Sequence, residues 1–89
     1  MFYQLDGKVF VAGCWFDVTV EVSDGEAVRR GEAQEATIAQ IWTLGPDLEV
    51  GVPKAFPISI AAGLFVQSAD RFISLYEYLL NAVCPKVLA

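Results

Sequence analysis

A chain of 89 residues that contains no histidine must do any acid–base or nucleophilic chemistry without the side chain that titrates nearest neutral pH. Its serines and threonines have no imidazole to take their proton, and a zinc site built on imidazole has no ligands. Two cysteines remain, Cys14 and Cys84, far apart in the chain and without a CxxC spacing. They read as small core side chains with reduced thiols, or, in an exported protein, as a disulfide tying the two ends together. Carboxylates alone can run glycoside hydrolysis, but only across a deep cleft that so short a chain rarely encloses. Asp47 and Glu49 stand two apart on an expected strand and hence on one face, yet no further oxygen ligands follow at cation-loop spacing. The seven glycines form neither GxGxxG nor a Walker pattern. These residue types point to a non-enzymatic protein with no cofactor and no metal.

The elements that would position such residues belong to one α+β domain spanning 1–89. Apolar residues make up 55% of the chain and charged residues 19%, and the mean hydropathy is +0.46. A domain this small has little interior for so many apolar side chains, so some are expected at an interface. The longest uncharged run, Ala55 to Ala69, is broken by Pro57 and Gly63, which argues against a membrane span. The N-terminus shows no charged, apolar and small-residue succession of a signal peptide, so a cytoplasmic protein is expected.

The expected sheet is small and antiparallel, with three to five strands. Tyr3 to Leu5 and Lys8 to Val11 flank Asp6-Gly7, a pair suited to a type I′ turn, so a hairpin is predicted there, with a bulge or bend at Ala12-Gly13. From Trp15 to Val22, residues Phe16, Val18, Val20 and Val22 alternate with Trp15, Asp17, Thr19 and Glu21, which predicts a half-buried strand. Ser23 and Glu26 match a capping box, and the residues up to Leu44 favour a central helix that Gly45-Pro46 would stop. Against that helix stand Gly31 and the series Thr37, Ile38, Ile41, Trp42 and Thr43, which suits a strand as well. Leu48 to Val52 and Ile58 to Ile60 read as short strands, with a helical turn as the alternative for the run through Leu64, Phe65 and Val66. Last comes an amphipathic helix packed on one face of the sheet, capped by Ser68, favoured by Asp70 and striped by Phe72, Leu75, Tyr76, Leu79, Leu80 and Val83.

Charge decides which partners remain. Six basic residues against eleven acidic ones give a net charge of −5, which repels phosphate backbones, so no direct nucleic-acid binding is expected. The acids concentrate in the middle: Asp17, Glu21, Asp24, Glu26, Glu32, Glu35, Asp47 and Glu49 face only Arg29 and Arg30. Such a stretch suits a larger protein with a basic surface, and the expected function is an inhibitor or regulator that blocks a nucleic-acid-binding groove, a nucleic-acid mimic of the kind found among viral and phage anti-defence proteins. Its contact candidates are Trp15, Asp17, Glu21, Asp24, Glu26, Glu32 and Glu35. The alternative is a structural or assembly subunit, most simply a homodimer, with Phe72, Tyr76, Tyr78 and Leu79 of the last helix as self-association candidates. A third reading places a small molecule between Trp15 and Trp42. Solvation of strand edges and helix starts would account for the acids without any partner.

Overall fold

The computed structural model describes residues 3–22, 36–45 and 52–84. Along the chain run strands β1 (Tyr3–Val11), β2 (Cys14–Val22), β3 (Ala36–Gly45) and β4 (Lys54–Ala55), helix α1 (Ile58–Gly63), strands β5 (Phe65–Ser68) and β6 (Arg71–Ser74), and helix α2 (Leu75–Val83). The first four strands form an antiparallel sheet in chain order, and β5 and β6 form a separate two-stranded sheet. This is an α+β fold with a small antiparallel sheet and a C-terminal helix, as the sequence leads one to expect.

The N-terminal hairpin exists, but its turn is not at Asp6-Gly7. Leu5, Gly7, Val9 and Val11 continue one alternation, so β1 passes straight through the expected turn and pairs along its whole length with β2. The chain reverses instead at Ala12 (φ 53°) and Gly13 (φ 75°), two left-handed residues between the paired Val11 and Cys14, as a two-residue primed turn requires. Alanine is strained there by its Cβ. Asparagine tolerates that conformation, so Ala12→Asn is expected to stabilise the protein by about 0.5–1 kcal/mol, seen as a rise of a few degrees in thermal midpoint. Gly7 answers a different need. A Cβ placed on it would lie 3.0 Å from Val83 Cγ2, so the missing side chain is what lets the end of α2 settle onto β1.

The central helix is not formed over Ala36–Gly45, which is strand β3; residues 23–35, including the Ser23 capping box, lie outside the described residues. Two irregularities in the β2–β3 register explain the misleading pattern. Val20 faces Ile38 while Thr19 faces Gln40, and Phe16 faces Thr43 while Trp15 faces Gly45, so Ala39 and Leu44 are each an extra residue. Every bulge resets the alternation. As a result Ile38, Ile41 and Leu44 are all buried, a spacing of three on a strand that imitates one face of a helix. β4 covers only Trp42 and Thr43, and further up β3 the Ile38 N–H donates to the Tyr76 hydroxyl of α2 at 3.0 Å, so a helix side chain does there what a ladder partner would do.

The later elements also differ from expectation. Ile58–Gly63 is helical, where Ile58 to Ile60 read as a strand with a helical turn as the alternative for the run, and Phe65–Ser68 at the end of that run is extended; of the strand read over Leu48 to Val52, only Val52 is described, and it is exposed and irregular. The last helix is capped six residues later than expected, at Ser74: Ser74 Oγ accepts from the Glu77 N–H at 3.0 Å, so Ser74 and Glu77 supply the serine-to-glutamate spacing of a capping box. Phe72 thereby belongs to β6, not to the helix.

The core lies between the inner face of the four-stranded sheet and the helices. Val11, Phe16, Val18, Val20, Val22, Ile38 and Ile41 meet Ala61, Leu75 and Leu79 there. Phe56, carried in by its N–H bond to the Ile41 carbonyl at 2.9 Å, sets its ring edge-on to Phe16 with centroids 5.5 Å apart.

Candidate interaction surface

The expected contact residues divide between two surfaces and the segments outside the described residues. Asp24, Glu26, Glu32 and Glu35 fall in the undescribed stretch between β2 and β3, and Asp47 and Glu49 in that between β3 and β4. Asp17 and Glu21 are described. They stand on the outer face of β2, half-buried among their neighbours, about 13 Å apart by strand geometry. Opposite them on β1 are Lys8 and Gln4, and between them Thr19 Oγ1 donates to Asp6 Oδ1 at 2.7 Å. This face therefore carries three carboxylates and one ammonium in a regular cross-strand array.

Trp15 occupies the end of the same face, next to the turn. It packs against Phe10, the residue opposite it, with ring centroids 5.2 Å apart and planes tilted by 55°. Half of Phe10 remains exposed, so the pair forms a small aromatic cap on the hairpin end. Trp42 is on the outer face too, opposite Asp17.

The self-association candidates separate completely. Leu79 has no exposed surface and is a core residue, which corrects its expected place at an interface. Tyr76 is half-buried and committed through its hydroxyl to Ile38, and Tyr78 packs against the core. Phe72 alone is largely exposed, at 69%.

Phe72 does not stand by itself. Cross-strand pairs are Phe65 with Ser74 and Gln67 with Phe72, so Phe65, Gln67, Phe72 and Ser74 share the outer face of the β5–β6 hairpin, with the two phenylalanines on adjacent strands and diagonal to one another. Val66 and Ile73 point the other way and are half-buried and buried. Phe65 is 67% exposed, and Leu64 and Ile60 beside the start of the hairpin are about half exposed, at 47% and 48%. Two backbone bonds, Leu64 N–H to the Ile60 carbonyl and Leu75 N–H to the Leu64 carbonyl, tie α1, the hairpin and α2 into one support for these side chains. Sequence reasoning passed over Phe65, Leu64 and Ile60. The usable signal was the alternation on either side of Ala69-Asp70, where Ala69 turns the chain with φ 57°.

Comparison with protein-family models, with curated proteins and with solved structures finds no match. The two cysteines are both free and half-buried. Among the described residues no three histidine, cysteine or acidic side chains gather as a metal site would need, and no helix is long and apolar enough to cross a membrane.

Proposed function

We propose that this protein is a non-enzymatic protein-binding domain whose partner docks on the outer face of the β5–β6 hairpin. The observation that carries this reading is the exposure of Phe65 and Phe72 side by side on one rigidly supported face. Folded domains seldom leave such aromatic area to water without a use for it, and buried aromatic anchors supply most of the energy in protein interfaces. The acidic middle of the chain favours a partner with a basic surface, which would meet it at long range and then seat on the apolar hairpin. An inhibitor or regulator that covers a nucleic-acid-binding groove is the form of this function that the charge supports.

Capture from lysate with tagged wild-type protein, washed through a salt series, tests the reading when Phe65→Thr/Phe72→Thr protein is run beside it. A stoichiometric basic partner held by wild type and lost by the double variant is expected. Retention of that partner by the double variant would contradict the hairpin as the docking face. Charge reversal through Asp17→Lys and Glu21→Lys is expected to slow association of the same partner severalfold at low salt and to change its dissociation little, as measured by surface plasmon resonance.

A further inference from the structure

The outer edge of β1 suggests a second interaction, independent of the hairpin. β1 is nine residues long, lies first in the sheet and has no strand on its outer side among the described residues. Long unpaired edges invite another strand, and proteins normally blunt them with charge. β1 carries Asp6 and Lys8, both exposed, on the two sides of Gly7. That arrangement is self-complementary.

We infer that two copies of this chain pair antiparallel through β1, about a twofold axis at Gly7. In that register Asp6 of each copy lies opposite Lys8 of the other, and Leu5 lies opposite Val9. Opposite charges therefore meet directly across the strands on the outer face, and the half-buried Leu5 and Val9, already packed against the core, extend it across the axis on the inner face. Within one copy Asp17 faces Lys8, so each outer-face row reads aspartate, lysine, aspartate from β2 through β1 to the second β1. Glycine at the axis puts no side chain between the copies. Val83 sits over Gly7, which places one Val83 on either side of the axis. The product is a continuous eight-stranded sheet, closed by the twofold and leaving only the short β4 at each outer end.

Sedimentation from low to high micromolar concentration tests this pairing. Wild type is expected to dimerise reversibly. Lys8→Asp sets like charges opposite one another twice and is expected to weaken the dimer about tenfold or more. Combining Asp6→Lys with Lys8→Asp re-forms both intermolecular pairs with their signs exchanged; because the new aspartate at position 8 then faces Asp17 within each copy, recovery is expected to be partial, with the double variant dimerising at least severalfold more tightly than Lys8→Asp alone. A wild type that stays monomeric throughout, a Lys8→Asp protein that dimerises as wild type does, or a double variant that fails to recover would each overturn the inference. Amide exchange on the wild type gives a reading that needs no variant: outward-facing N–H groups of β1 should exchange more slowly as concentration rises, and concentration-independent exchange would contradict the pairing. Phe65→Thr/Phe72→Thr protein should dimerise unchanged, so loss of partner capture and loss of dimer are separable results.

Discussion

Leu79→Ala is expected to destabilise the protein by about 3 kcal/mol, within the range of roughly 2–5 found for truncating buried leucines. Leu79 is fully buried, and through it α2 meets the valine and isoleucine face of the sheet. Removing it costs the transfer energy of the lost methyl groups and leaves a cavity between helix and sheet. For a domain of this size total stability is roughly 5–10 kcal/mol, so one substitution would remove a large share of it. The thermal midpoint should fall by roughly 10–20 °C. The sequence alone allowed Leu79 a place at an oligomer interface. A core role makes the loss the same at every protein concentration, whereas an interface role would make it fade on dilution as wild type dissociates. Denaturant unfolding at two widely separated concentrations distinguishes the two, and a concentration-dependent loss would contradict the packing described.

The second large effect is on binding, not on folding. Phe65 and Phe72 keep about two-thirds of their surface exposed, so replacing either with threonine removes little that the fold depends on and retains a residue suited to strands. Against a partner, the loss of each aromatic anchor should cost about 2 kcal/mol, or roughly thirtyfold in dissociation constant. The two rings lie diagonally on adjacent strands and would share one partner pocket, so their losses are not expected to add in full. Titration calorimetry with the captured partner measures this directly. Phe10→Thr, at the aromatic cap on the other sheet, serves as the comparison: it also removes an exposed ring but should leave the affinity within about threefold of wild type.

The parts of this fold that the sequence announced are those where side-chain period and backbone agree. Strand β2 is one: Phe16, Val18, Val20 and Val22 are all buried because nothing within that strand interrupts its own alternation. Strand β3 was hidden because its two extra residues, Ala39 and Leu44, turn a period of two into a spacing of three, and only pairing with β2 reveals that the chain is extended. The turn was misplaced for a related reason. Asp6-Gly7 has the better turn chemistry, but it lies inside an unbroken alternation, and Gly7 is glycine because Val83 lies against it. Ala12-Gly13 makes the turn with a residue that dislikes the conformation, since burying Val11 and Phe16 outweighs about 1–2 kcal/mol of local strain.

The interaction surface was less legible than the fold. The acidic stretch is plain in the sequence, yet six of its eight carboxylates lie outside the described residues and the two described ones form part of a mixed-charge sheet face. Phe72 was singled out for its exposure on the wrong element, and its neighbours Phe65, Leu64 and Ile60 went unnoticed because a short apolar run reads equally well as buried strand or buried helix. What separates exposed from buried in that run is the hairpin register, which sends Val66 and Ile73 inward and Phe65 and Phe72 outward.

Hydrogen–deuterium exchange of the protein alone and in complex with its captured partner tests the central claim most directly. Slowed exchange in the complex over Leu64 to Phe72, with the β2 outer face little changed, is the expected result. Protection confined to other segments, with the hairpin exchanging as in the free protein, would contradict it.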